Sequence, residues 1–440
     1  MKSKIGLALS GGGYRAAAFH LGTFRKLKEL GILDQVDVIS TISGGSIAGA
    51  FYCLNKDNFQ SFDDQLVNAL QKSTIKRILI SWSILLQLLM FLFVLILYFG
   101  LCFNIDFWAT DFGFCFESNN WYKLFALLYL FIFLIFHFKF ISLTNLKIKA
   151  YNKIFFKGKM LCCLPDKPEL VMNATNLSTG TLFSFSKRKS SDSSYLEARK
   201  SSGLEEIEFN CNNMPIAKVV ASSTCVPFAF DPVKIERHFF VNPEHFELVS
   251  PRLIDGGIYD NQGIHKITQK NSSYYCSNII VSDGSQPFEF TFSGYNIGSV
   301  FYRSVDLMMR RIKTMQFIRD VYSDKTNVAY YSLNFEYTGM VNGFVNAVLN
   351  RNLTKDVLDS HGYQSGQIID PECVKAKIGY YSIVSNGLLE SEVIEISKIG
   401  TNLTSLRPEQ IASLSRHASV LTEISVRLYL PHLITEQLTV

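Results

Sequence analysis

Residues 5–54 read IGLALSGGGYRAAAFHLGTFRKLKELGILDQVDVISTISGGSIAGAFYCL. Residues 5–9 are a short apolar segment that ends in the turn Ser10-Gly11-Gly12-Gly13. Helical spacing follows, with Ala17, Leu21, Phe24 and Leu27 on one face, and Gly31 closes the helix as a residue able to adopt the left-handed conformation. Residues 36–42 are Val/Ile-rich and read as a second strand, Ser43-Gly44-Gly45-Ser46 as a sharp turn, and residues 47–54 as a second helix. Strand, turn and helix repeated twice imply parallel strands joined by right-handed crossovers. Both glycine turns then fall at the carboxyl ends of strands, where open α/β sheets place their sites.

Outward from this segment the chain changes character. Residues 78–103 read ILISWSILLQLLMFLFVLILYFGLCF and residues 124–138 read LFALLYLFIFLIFHF, both without a charge. The first run exceeds the roughly 20 residues that cross a bilayer, and together the two predict a transmembrane hairpin over 78–141. Trp82, Tyr98, Trp108, Trp121 and Tyr122 cluster at its ends, as in an interfacial belt. Lys72, Lys76 and Arg77 precede it, Lys139, Lys147, Lys149, Lys153, Lys157 and Lys159 follow it, and the connecting loop carries only Asp106, Asp111 and Glu117. The positive-inside rule therefore puts both flanks in the cytoplasm.

The hairpin accounts for the composition. The chain has 440 residues, 48% hydrophobic and 18% charged, with 36 Phe, 9 Cys and a net charge of +5. That excludes a disordered chain, a disulfide scaffold and a strongly basic nucleic-acid binder. The N-terminus lacks the pattern of a signal peptide, and the scattered cysteines suit a reducing compartment.

Three segments carry chemistry. The triple glycine before a helix leaves backbone N–H groups free to meet an anion, as a phosphate cradle or an oxyanion hole; no Lys-Ser/Thr follows to make a nucleotide loop. Ser46 in Gly44-Gly45-Ser46-Ile47-Ala48 lies between a strand and a helix, the setting of a nucleophile elbow, with Ala48 where the usual pattern has Gly. Asp255 in Ile254-Asp255-Gly256-Gly257 follows an apolar segment and is backed by two glycines that allow close approach.

In that order, GGGYR, GGSIA and DGG resemble the patatin-like phospholipases. Asn173-Ala174-Thr175-Asn176, Ala221-Ser222-Ser223 with Pro227, and Val281-Ser282-Asp283 add to the likeness. The resemblance implies a three-layer α/β/α domain with a mostly parallel sheet, here interrupted by the hairpin. It would occupy residues 1–75 and 150–290, with 291–440 a mainly helical part packed on it. It implies a lipid acyl hydrolase with Ser46 as nucleophile, Asp255 as general base and no histidine. Gly11, Gly12 and Gly13 would supply the oxyanion amides, and Arg15 would hold that loop. No metal or cofactor is expected, no nucleic acid, and the partners are a phospholipid or other lipid ester and the bilayer itself.

Two readings stand beside this one. His265 and His361 follow Asp255 in the order of a Ser-His-Asp hydrolase. A membrane scaffold or lipid sensor on an inactive hydrolase fold is the other. Asp283, at a strand end, is a candidate second acid.

Overall fold

The computed structural model describes residues 3–86, 89, 92, 128, 142–195, 206–288, 291–294, 296–321 and 326–435. The expected hairpin, apart from residues 78–86, 89, 92 and 128, lies outside the described residues. Among those described, no helix is long and apolar enough to cross a membrane.

Nine strands form one sheet in this described part. They are β1 (Ile5–Leu9), β2 (Val38–Ile42), β3 (Glu169–Asn176), β4 (Thr181–Phe185), β5 (Ser190–Asp192), β6 (Val233–Lys234), β7 (Arg252–Asp255), β8 (Asn278–Asp283) and β9 (Asn327–Ser332). The main order is β5-β4-β3-β2-β1-β8-β9. From β3 through β9 all neighbours are parallel, while β4 and β5 add antiparallel strands at one edge. Every residue of β1, β2, β3, β8 and β9 is buried. A parallel sheet covered by helices on both faces requires this, and it explains why these strands lack polar alternation.

The helices that position the site are α1 (Gly13–Glu29), α2 (Gly44–Asn55), α3 (Thr74–Leu79), α4 (Leu143–Tyr151), α5 (Ile216–Ser223), α6 (Gly257–Asp260), α7 (Ile297–Gln316) and α8 (Pro408–Tyr429). One face of the sheet, with Leu7, Leu9, Ile39, Met172 and Ile280, packs under α1, α2 and α8 in the larger core. The other face, with Ala8, Val171, Ile279 and Val281, packs on Ile264, Ile267 and Phe317. The result is three layers, α/β/α, as expected.

The sheet does not end near residue 290. β9 pairs in parallel with β8 from Asn278↔Asn327 to Asp283↔Ser332, and α8 packs along α1. The segment after 290 thus completes the same core. That crossing depends on Gly22 of α1, where a Cβ would stand 1.9 Å from the Ser415 carbonyl oxygen of α8. Ala normally improves a helix interior by about 1 kcal/mol over Gly. Here the overlap with backbone reverses the sign, and Gly22→Ala is expected to destabilise by about 3 kcal/mol in chemical denaturation.

Candidate active site

β2 and β7 approach each other along the same edge of β3 from opposite directions. β2 runs parallel to β3 and its last residue, Ile42, pairs with Asn173. β7 runs antiparallel and its last residue, Asp255, pairs with the next position, Ala174. The residue that leaves β2 therefore meets the residue that ends β7. That residue is Ser43, whose hydroxyl donates to Asp255 Oδ2 at 2.8 Å.

Ser43 carries the marks of an elbow. Its φ is +47° and its ψ −116°, a conformation that costs a non-glycine residue on the order of 1–3 kcal/mol. α2 begins at the next residue, so the positive end of that helix lies beside the hydroxyl. The turn needs the glycines that follow it. A Cβ on Gly44 would fall 2.2 Å from the Gly13 carbonyl oxygen, and one on Gly45 2.3 Å from that of Leu9.

Ser46 was the expected nucleophile, and its geometry does not suit the part. It sits in the first turn of α2 and is fully buried. Its hydroxyl lies 2.9 Å from Thr41 Oγ1 and 2.8 Å from Ser223 Oγ. Ser223 already gives its only proton to the Asn173 carbonyl at 2.7 Å, so Ser46 is the donor in that pair. The Ser46 proton is committed to a structural hydroxyl and not to Asp255. A sequence signal for Ser43 did exist: it has glycine two positions on, as the elbow pattern requires, whereas Ser46 has Ala48 there.

Asp255 ends β7 and accepts the Ser43 hydroxyl there. Its Oδ1 accepts the Gly257 amide at 2.8 Å, its own amide donates to the Cys225 carbonyl at 2.8 Å, and its carbonyl accepts Thr175 Oγ1 at 2.9 Å. Burial pushes its pKa up to about 6, against the lowering effects of the Gly257 amide, the Ser43 hydroxyl and Lys147. A carboxylate so tuned is ionised at neutral pH and basic enough to take a proton.

The turn Ser223-Thr224-Cys225 brackets both groups. Ser223 Oγ accepts the Ser43 amide at 2.9 Å, and Cys225 holds Asp255 as described. Lys147 of α4 fastens this turn by donating to the Thr224 carbonyl at 3.0 Å, with its ammonium over the Phe230 ring at 3.8 Å. Lys147 reads in the sequence as a cation flanking the hairpin; here it is fully buried behind the site, and burial lowers its pKa to about 8. Removing its charge leaves the Asp255 carboxylate less stabilised, so the Asp255 pKa climbs. A carboxylate acts as a general base only when ionised, so a rate that depends on one falls as pH drops through its pKa. Lys147→Met is therefore expected to move the acid limb of the pH–rate profile upward, by roughly half a unit to one unit.

The glycine turn lies against the elbow, as a Cβ on Gly11 would come 3.3 Å from Ser43 Cβ. The three amides are not equivalent. Gly11 donates to the Asn261 carbonyl at 2.9 Å and is occupied. Among the described residues no acceptor is found for the amides of Gly12 (φ +136°) and Gly13 (φ +59°). Arg15 is fully buried. Its guanidinium donates to the carbonyls of Gly284 at 3.2 and 3.3 Å and Ile399 at 2.7 Å. It ties the segment after residue 396 to the loop, as does the 3.1 Å bond from the Tyr14 amide to the Asn402 carbonyl.

The histidines and the second acid go elsewhere. His265 contacts Gln269 and Tyr259, and His361 donates from Nε2 to the Leu428 carbonyl and stacks on Tyr363. Among the described residues no histidine bonds Ser43 or Asp255. Asp283 is fully buried. Burial works to raise its pKa, but Lys313 at 2.6 Å and the Tyr330 hydroxyl at 2.6 Å hold it well below the usual carboxylate range. It is a fixed anion, unsuited to giving up a proton.

The sequence profile of the patatin-like phospholipases matches residues 7–266, which include the elbow, the glycine turn and Asp255. Among solved structures the chain is similar to human GIVD cytosolic phospholipase A2, at 11% identity and a TM-score of 0.47, over 98% of this chain and 62% of that one. It is also similar to VipD from Legionella pneumophila, at 14% identity and a TM-score of 0.36, over 98% and 67%. The chain thus spans less than two thirds of the length of the first. No curated protein matches it. The profile covers more than half of the chain, and on that ground the chain belongs to the patatin-like phospholipase family.

Proposed function

We propose that this protein is a serine lipid acyl hydrolase working through a Ser43–Asp255 dyad, tethered by residues 78–141 as two membrane spans with the catalytic domain on the cytoplasmic side. The observation that carries the chemistry is the 2.8 Å bond from a serine in an elbow conformation to a buried carboxylate, beside amides for which no acceptor is found among the described residues. Ser43 Oγ attacks the ester carbonyl carbon and its proton passes to Asp255. The carbonyl oxygen becomes an oxyanion, which the Gly12 and Gly13 amides and the positive end of α2 stabilise. The carbon–oxygen bond to the lipid alcohol then breaks, and Asp255 returns the proton to that alcohol. Water attacks acyl-Ser43, gives one proton to Asp255, and releases the fatty acid; the proton then returns to Ser43.

Membrane phospholipid is the substrate class that suits both the family and a tethered site, since tethering raises the effective concentration of lipid at the dyad. Lipid analysis of membranes carrying the wild-type chain or Ser43→Ala tests this. Loss of phospholipid with gain of lysolipid and free fatty acid is expected only with wild type. Identical lipids in both, with both chains folded and inserted, would remove the hydrolase reading.

A further inference from the structure

α7 is amphipathic with its apolar stripe on the outside. Ile297, Phe301, Met308 and Met315 recur at spacings of four and seven, hence on one helix face, and all are exposed, Ile297 at 91% and Met308 at 66%. Of the helix's 20 residues only Gln316 is buried. A helix of a globular domain normally turns such a stripe inward. The opposite side faces the protein: Arg303 and Arg310 lie over the Phe288 ring at 3.8 and 4.6 Å, and Lys313 reaches Asp283. The helix carries Arg303, Arg310, Arg311 and Lys313 against Asp306 alone.

The stripe continues into other exposed apolar groups. Phe228, with φ +69° and 66% exposed, sets its ring edge on Phe301 at 5.5 Å. Three residues on, Asp231 accepts Ser142 Oγ at 2.7 Å and the Thr144 amide at 3.0 Å, which anchors the second foot of the hairpin. That foot, α4, packs on α3, the first foot, beyond which Leu79, Ile80 and Trp82 are exposed. α7 also packs on α6, the turn directly after Asp255.

We propose that α7 and the Val226–Phe228 loop form a docking face for an anionic phospholipid bilayer, continuous with the hairpin feet, which sets the mouth of the site on the lipid surface. A helix with an outward apolar stripe is the form that lies in a membrane interface, and the exposed Arg311, together with the exposed Lys76 at the first foot, favours anionic headgroups. This inference rests on the tethered-hydrolase reading, and its test separates the two. The full chain is reconstituted in phosphatidylcholine vesicles, with or without phosphatidylserine, containing a photoactivatable phospholipid, and cross-linked peptides are mapped by mass spectrometry. The expected result is lipid cross-linking at 226–228 and along 297–315 that falls at least about tenfold without phosphatidylserine, while cross-linking within 78–141 persists in both. Cross-links confined to 78–141 overturn the docking face and leave the tether standing. Protein–protein cross-links on α7 in place of lipid ones also overturn it, in favour of a second copy or another protein. Absence of lipid cross-links from 78–141 overturns the tether as well.

Discussion

Ser43→Ala is expected to abolish covalent labelling by a fluorophosphonate probe and to lower ester hydrolysis by at least roughly 10³-fold. The substitution removes the hydroxyl that donates to Asp255 and leaves the elbow backbone, the glycine turn and the helix end in place. Ser46→Ala is the informative partner. It deletes a buried hydroxyl bonded to Thr41 and Ser223, at a cost of about 1–2 kcal/mol in stability. It touches neither Asp255 nor the Ser43 hydroxyl, so labelling should survive and hydrolysis should fall by less than about tenfold. The opposite pattern, with Ser46→Ala silent and Ser43→Ala labelled, would refute the assignment.

Asp255→Asn is expected to lower hydrolysis by roughly 10⁴-fold while making the protein more stable above pH 6. The first effect follows from loss of the proton acceptor. The second follows from linkage. Burial raises the folded-state pKa to about 6, whereas an unfolded aspartate titrates near 3.9. The folded state therefore holds the proton more tightly, and ionising Asp255 costs folding free energy. That cost is absent below about pH 4, grows between about 4 and 6, and is complete above, with an upper bound of about 3 kcal/mol. Asparagine keeps an acceptor for the Gly257 amide without the buried charge. Thermal unfolding at pH 8 and pH 4 checks the sign: a higher midpoint for Asp255→Asn at pH 8 and none at pH 4. Equal stability at both values would mean that the carboxylate is not desolvated as its burial implies.

Much of the site is readable where its signal is local. The strands and helices from β1 to α2, the glycine turn, and Asp255 before two glycines all depend on propensity and turn chemistry within a few residues. β9 escaped because its residues, NVAYYS, are buried on both faces and show no period by which to distinguish them from a buried helix. Lys147 escaped for a different reason. A lysine near an apolar run reads as a cation at a lipid surface, and only the packing of α4 against the 223–225 turn buries it.

The choice between Ser43 and Ser46 marks the boundary most sharply. Both serines flank the same Gly-Gly pair, and local sequence places the turn without saying which hydroxyl faces the base. That depends on where β2 stops against β3 and where β7 stops against the same strand, one position further on. Strand register arises from contacts between residues about 80 to 130 positions apart in the chain. From the amino-acid order alone follow the family, the three-layer architecture, the glycine turn and Asp255, because each is encoded in short-range pattern. The tertiary structure decided which serine meets Asp255, the burial of the lysine behind it and which glycine amides find no acceptor among the described residues, because those depend on which ends of distant strands meet.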